Sequence, residues 1–197
     1  MAKSFSELSA KVWAGAPTSK LFAQLTVTAP TGPRDARAMS LPIGKIIGAG
    51  AYRSTFILLG FPELVIKFPE TKLDPDVHDF AYDSTEPQLK TPEAHIEAEM
   101  RNIEIINTRP EYAVLRRHIP TVYFYDPATH IQVVKRYRPT GKNSYKVTKV
   151  LTELFDTVLN IKTSDFAFQN IMLDENDRLI VVDLGYVRLD EPREGAQ

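Results

Sequence analysis

The sequence predicts an α+β protein in which a strand-rich antiparallel part is followed by a smaller helical part, and three observations predict it. Short β-branched and aromatic runs broken by Gly and Pro fill residues 45–68 and 121–135. Two stretches, 92–107 and 147–160, carry apolar residues three and four apart, as one face of a helix requires. A last pair of short apolar runs, Asn170 to Leu173 and Leu179 to Val182, flanks the turn Asp174-Glu175-Asn176-Asp177.

Taken in order, residues 4 to 26 carry two weak amphipathic patterns, Phe5-Leu8-Val12-Trp13 and Leu21-Phe22-Leu25, separated by Gly15-Ala16-Pro17. Residues 29 to 44 hold Pro30, Gly32, Pro33, Pro42 and Gly44, a composition that punctuates a chain and marks a boundary. Lys45-Ile46-Ile47, Ser54 to Leu59 and Leu64 to Phe68 then read as three antiparallel strands, joined through Gly48-Ala49-Gly50 and a turn at Gly60-Phe61-Pro62-Glu63. Residues 69 to 92 are rich in Asp, Pro and Thr and read as loop. Thr91 and Pro92 have the character of a helix cap and first helical residue, and Ile96, Met100, Ile103 and Ile106 or Asn107 form the face that follows. Strands at 121–125 and 131–135 enclose Asp126-Pro127-Ala128-Thr129. Val147, Val150, Leu151, Leu154, Phe155, Val158 and Leu159 give the clearest helical stripe.

Composition removes several classes of function. There is no cysteine, so disulfides, thiol catalysis and thiolate metal sites are excluded. A formal net charge of -1 lacks the global basic field that generic nucleic-acid binding uses. No apolar run reaches the roughly 20 residues of a membrane span, and the first residues lack the apolar core of a signal peptide, so a cytoplasmic protein is expected. The four histidines are scattered without metal-ligand spacing, and no Gly-x-Ser-x-Gly context supports a hydrolase. One basic stretch, Lys135-Arg136-Tyr137-Arg138 with Arg116-Arg117-His118 upstream and Lys142, Lys146 and Lys149 downstream, could contact nucleic acid or a phosphorylated partner, but the balanced net charge makes nucleic acid the disfavoured reading against plain exposed charge.

Several residues carry chemistry. Gly48 and Gly50, between two strands, let backbone amides approach a phosphate without an intervening side chain, although the pair also suits a plain hairpin turn. Lys67 closes the apolar run Leu64-Val65-Ile66 just after that hairpin; a strand-end lysine reaching solvent is the alternative. A helix carboxylate would hold such a lysine. Glu97 and Glu99 are the candidates, and Glu99 fits better because Ile103 and Ile106 follow on its face. Asp165 and Asn170 bracket a five-residue step, and Asp183 lies thirteen residues beyond Asn170 at the end of an apolar strand. Phosphoryl transfer needs oxygen ligands for Mg²⁺ and a carboxylate that orients the attacking hydroxyl; Asn170 with Asp183 suits the first need and Asp165 the second.

In this order the motifs resemble the eukaryotic-type protein-kinase superfamily over about residues 43 to 190. Gly48 through Phe56 looks like the glycine-rich loop and Val65-Ile66-Lys67 like the third-strand lysine motif. Asp165 through Asn170 looks like the catalytic loop, and Asp183-Leu184-Gly185 like the magnesium-binding tripeptide. The resemblance implies a bilobal kinase-like fold: an N-terminal helical extension and linker over 1–42, an antiparallel β-rich N-lobe over 43–137 and a truncated helical C-lobe over 138–197. It further implies ATP and Mg²⁺ as cofactors, catalytic roles for Asp165, Lys67 and Glu99, and metal ligation by Asn170 and Asp183. Gly48, Gly50, Lys67, Val134 and Arg136 would lie along the nucleotide, the last two at the linker where backbone groups meet adenine. The small size and the Ile119-Pro120-Thr121-Val122-Tyr123 segment look most like early host-takeover serine/threonine kinases of short-tailed bacteriophages or minimal bacterial effector kinases, which implies a host protein as substrate. The pattern also departs from the family. Arg53 replaces the third glycine, Thr163-Ser164 replace His-Arg before Asp165, Ala167 stands in place of a lysine, and twelve residues follow Gly185. A pseudokinase and a small-molecule kinase are therefore the rival expectations.

Overall fold

Five strands pair into one antiparallel sheet in the order β1-β2-β3-β5-β4, with β1 at Ile43–Ala49, β2 at Arg53–Leu58, β3 at Phe61–Pro69, β4 at Val122–Asp126 and β5 at Ile131–Lys135. The computed structural model describes residues 21, 25, 32–50, 52–70, 91–141, 144–159, 168–185, 187 and 189. Most of the expected helical patterns before Leu21, the loop at 71–90, the catalytic loop through Ala167 and the residues after Leu189 lie outside them. The helices are α1 at Pro33–Ala38, α2 at Pro92–Thr108 and α3 at Ser144–Leu159. A second sheet joins β6 at Arg138–Pro139, β7 at Ile171–Leu173 and β8 at Leu179–Val181 in that order. The chain divides into two units, Met1–Glu97 with Thr121–Arg136, and Ala98–Pro120 with Tyr137–Gln197.

In the first unit the period-2 alternation of strand side chains sorts β3 between two faces. Leu64, Ile66 and Phe68 enter the hydrophobic core, joined by Phe56 and Leu58 of β2, Phe124 of β4, and Ile131 and Val133 of β5. Leu21, Leu25, Ala36, Leu41 and Ile43 complete the cluster. This corrects the reading of 29–44 as a boundary: Pro33 occupies the first position of α1, where its missing N–H costs nothing, and the segment contributes to the core. The turn expected at 60–63 contracts to Leu59-Gly60, because Gly60 takes a φ of +83° and Phe61 already pairs with Leu58. Asp126 nucleates the turn between β4 and β5 by accepting bonds from the Ala128 N–H and the Thr129 hydroxyl.

Helix α2 starts where expected: Thr91 Oγ1 accepts the Ala94 N–H at 3.2 Å. Ile96, Met100, Ile103 and Ile106 are buried, whereas Asn107 is exposed. In the second unit, Arg116 donates from Nε to the Ile106 carbonyl at 3.1 Å and through a terminal nitrogen to the Arg109 carbonyl at 3.0 Å, so a cation satisfies the end of α2. His118 Nδ1 is bonded to the Leu179 carbonyl at 2.8 Å, which ties the 3-10 turn Leu115–His118 to β8. Helix α3 buries Thr148, Leu151, Thr152, Phe155 and Leu159; Val150, expected on the apolar stripe, is 59% exposed. Asp174 organises the hairpin between β7 and β8. One carboxylate oxygen accepts the Asn176 and Arg178 N–H groups and the other the Arg178 guanidinium.

Candidate functional site

The face of the five-stranded sheet opposite the core carries polar residues at its centre. Lys67 is paired in register with Thr55 on one side and Gln132 on the other, and Val65 with Ile57 and Val134, so these residues share a face. Arg53 lies two residues before Thr55 on that face, and its guanidinium donates to Gln132 Oε1 at 2.9 Å. Arg53 and Lys67 are each only 8% exposed. Burying one cation costs free energy unless it meets partners, and burying two on one sheet face is uncommon in a merely structural surface. Lys67 is therefore no solvent-reaching strand end. Val134 is buried on the same face, while the Arg136 N–H donates to the Glu63 carbonyl at 2.7 Å and is used within the sheet unit.

The glycine hairpin is fastened on both sides. Gly48 stands opposite Thr55 and Ala49 opposite Ser54, and the Gly50 N–H donates to the Arg53 carbonyl at 3.0 Å. The Gly50 amide expected to face a phosphate is thus committed to closing the turn. Tyr52 is turned inward and stacks on the buried His95 ring of α2, with centroids 4.1 Å apart and planes 13° apart. Its carbonyl accepts the Glu70 N–H, and the Glu70 carboxylate accepts the Ser54 hydroxyl. Neither glycine has a left-handed φ, a Cβ at Gly48 would make only ordinary contacts with Thr55, and a Cβ at Gly50 would meet no described atom within 4 Å.

The second unit holds Glu99, Asn170 and Asp183. Glu99, in the body of α2, is 1% exposed, which distinguishes it from Glu97, whose carboxylate is half-exposed and 3.9 Å from His130 in the first unit. Asn170 ends a 3-10 turn that leads into β7, and its carbonyl accepts the Val182 N–H at 2.8 Å. That bond extends the β7–β8 ladder by one step and brings Asn170 beside the residue preceding Asp183. Asp183 Oδ1 accepts the Gly185 N–H at 3.1 Å. Asp165 lies outside the described residues.

Sequence reasoning missed Asn102, which is 3% exposed on α2 and donates to the carbonyls of both Leu184 and Val187. The available signal was a polar residue one turn after Glu99 and next to the apolar Ile103. It also missed the inward stack of Tyr52 on His95, because a tyrosine in a glycine-rich turn reads as exposed until its partner is known. Among the described residues no three of His, Asp and Glu cluster closely enough to hold a metal by themselves. An Asn–Asp pair of oxygen donors instead suits magnesium, a hard cation that keeps several waters and takes its other ligands from phosphate. No described helix is long and apolar enough to cross a membrane.

No protein-family model matches the sequence, and no curated protein matches it. Among solved structures, that of Rv3197 from Mycobacterium tuberculosis in complex with erythromycin is similar with 13% sequence identity and a TM-score of 0.41. The match covers 92% of this chain and 55% of that one, so the chain spans about half the length of that relative. At such distance the likeness assigns neither residue roles nor a ligand; both rest on the chemistry of this chain.

Proposed function

We propose that this chain is an ATP- and magnesium-dependent phosphotransferase with a protein-kinase-like fold, acting on a protein hydroxyl. The observation that carries the reading is the pair of buried cations, Arg53 and Lys67, on the polar face of an antiparallel sheet whose neighbouring hairpin has glycines at 48 and 50. Among the described residues nothing requires those glycines, since neither their backbone angle nor a described neighbour forbids a side chain there. Space kept clear beside two cations suits a polyphosphate. An antiparallel sheet with Lys67 on its third strand, followed by a helix on which Glu99 is buried, supports the reading.

In this reading Lys67 and Arg53 bind phosphate oxygens, Glu99 orients Lys67, and Val134 lines the adenine side. Asn170 and Asp183 would hold a magnesium ion, which would supply neutralisation of the phosphate charge. Asp165 orients the acceptor hydroxyl and accepts its proton. The acceptor protein belongs to a host or partner, as the likeness to minimal phage and effector kinases implies.

The test is thermal unfolding with ATP, with and without Mg²⁺. A ligand bound only by the folded state at about 100 times its dissociation constant adds roughly 2.7 kcal/mol. Wild type should therefore melt distinctly higher with Mg-ATP, Asp183→Asn should lose the magnesium-dependent part, and Lys67→Met should lose most of the nucleotide response. Equal shifts in wild type with and without Mg²⁺ would defeat the metal assignment. Binding without transfer of labelled phosphate to any lysate protein would replace the enzyme by a nucleotide-binding regulator.

A further inference from the structure

Asn102 is a buried polar group whose partners lie far along the chain. It sits on α2 beside Met100 and Ile103, both buried. An amide is kept in such a place only when its hydrogen bonds are made, since an unmet buried amide costs about 1–3 kcal/mol. Asn102 Nδ2 donates to the Leu184 carbonyl at 2.8 Å and to the Val187 carbonyl at 2.5 Å. Two carbonyl acceptors fix the side chain's orientation, because only the nitrogen end has protons to give.

The two clamped carbonyls bracket Gly185, whose N–H donates to Asp183 Oδ1 at 3.1 Å. The Leu184 carbonyl also accepts the Val187 N–H at 3.1 Å, and Leu184 is fully buried. The peptide that sets the Asp183 carboxylate is thus held from α2, while the Asn170 carbonyl holds the other side through the Val182 N–H. A carboxylate at the end of a three-residue strand has little ladder to define it.

We propose that Asn102 is a positioning residue whose amide, by bridging the Leu184 and Val187 carbonyls, sets the Asp183 carboxylate in the geometry that takes up magnesium with a nucleoside triphosphate. The inference rests on the phosphotransferase reading and adds a residue to it. Glu99 lies one turn earlier on the same buried helix, so a single element carries both the carboxylate assigned to Lys67 and the amide that governs Asp183.

The test compares wild type with Asn102→Leu, which keeps the branching at Cγ and removes both donors, and Asn102→Ser, which keeps one. Two quantities are measured: ATP affinity with and without Mg²⁺, and hydrogen exchange at the Gly185 and Val187 amides without ligand. Loss of a residue that orients a metal ligand typically weakens metal binding by about 10–100-fold. Asn102→Leu should therefore keep the metal-free ATP affinity, lose at least tenfold of the magnesium enhancement, and exchange faster at both amides; Asn102→Ser should fall between. A magnesium enhancement in Asn102→Leu within twofold of wild type would overturn the proposal. So would an equal loss of ATP affinity with and without the metal, or failure of both variants to fold, either of which would make the amide a purely structural requirement. Absence of any magnesium enhancement in wild type would instead defeat the phosphotransferase reading itself.

Discussion

The two units fix their polar residues by different means. In the first, Lys67 and Arg53 ride on strands of nine and six residues whose reverse face is locked into the Phe56, Phe68 and Phe124 core. Shifting the register by one residue would turn Phe68 and Ile66 out of that core, so hydrophobic packing fixes the register that carries the cations. In the second, β7 and β8 have only three residues each, and the hairpin is held by side chains reaching backbone groups: Asn102 to Leu184 and Val187, Asp174 to Asn176 and Arg178, His118 to Leu179. A long ladder spreads its constraint over many weak contacts, whereas a short one concentrates it in a few hydrogen bonds. Disturbing the first unit should therefore cost stability before chemistry, and disturbing the second should cost chemistry before stability.

The largest effect expected from that contrast is Phe68→Ala. It deletes a fully buried ring that meets Phe56 edge-on, with centroids 5.9 Å apart, and should destabilise the protein by about 3–5 kcal/mol in urea unfolding. A loss below about 1.5 kcal/mol would mean that the core does not dominate the first unit. Arg53→Met comes next. Hydrogen bonds from charged groups contribute about 1.5–3 kcal/mol, so nucleotide affinity by calorimetry should fall at least tenfold while the remaining magnesium dependence persists. Unchanged affinity would assign the Arg53–Gln132 bond to folding alone.

Gly50→Ala sharpens the comparison from the opposite side. Its backbone angle suits an L-residue and its Cβ would be unobstructed by described atoms, so stability should hold or rise by about 0.4–1 kcal/mol. Nucleotide affinity should nonetheless drop, because the methyl group enters the space assigned to phosphate; unaltered affinity would return Gly50 to the role of a plain turn residue. The smallest effect is set by pH. Burial works against the charged form of Asp174, but the Arg178 and Asn176 N–H groups and the Arg178 guanidinium outweigh it and hold its pKa below the ordinary carboxylate value. A depressed folded-state pKa contributes stability that is complete above the ordinary value of about 4 and is lost as pH falls through the depressed one. Melting curves of wild type and Asp174→Asn should differ at pH 7 and draw together as the pH is lowered below the ordinary carboxylate value. A gap independent of pH would show that the hairpin needs the shape of Asp174 and not its charge.

Much of the first unit and of α2 was written locally. Alternation in Leu64 to Phe68, the Thr91-Pro92 start of α2 and the three-and-four spacing of Ile96, Met100, Ile103 and Ile106 each rest on neighbours in the chain, so the sequence alone determined those elements. The Asp165, Asn170 and Asp183 spacings, too, were legible as a pattern. Only tertiary structure decided the rest. Pro33 to Leu41 looked like punctuation until Ala36 and Leu41 met strands whose apolar faces needed covering. Val150 scored as core because helical periodicity specifies a stripe without its exact edges, and the stripe that packs is centred on Leu151 and Phe155. The third strand of the small sheet, Arg138–Pro139, carries no strand signal; it forms because Leu173 and Met172 offer it backbone partners. Asn102 depends on carbonyls 82 and 85 residues away, and Arg53 on a glutamine 79 residues away. Periodicity and turn chemistry act over a few residues and so can be read along the chain, whereas a buried polar residue is explained only by its partner, which the fold supplies.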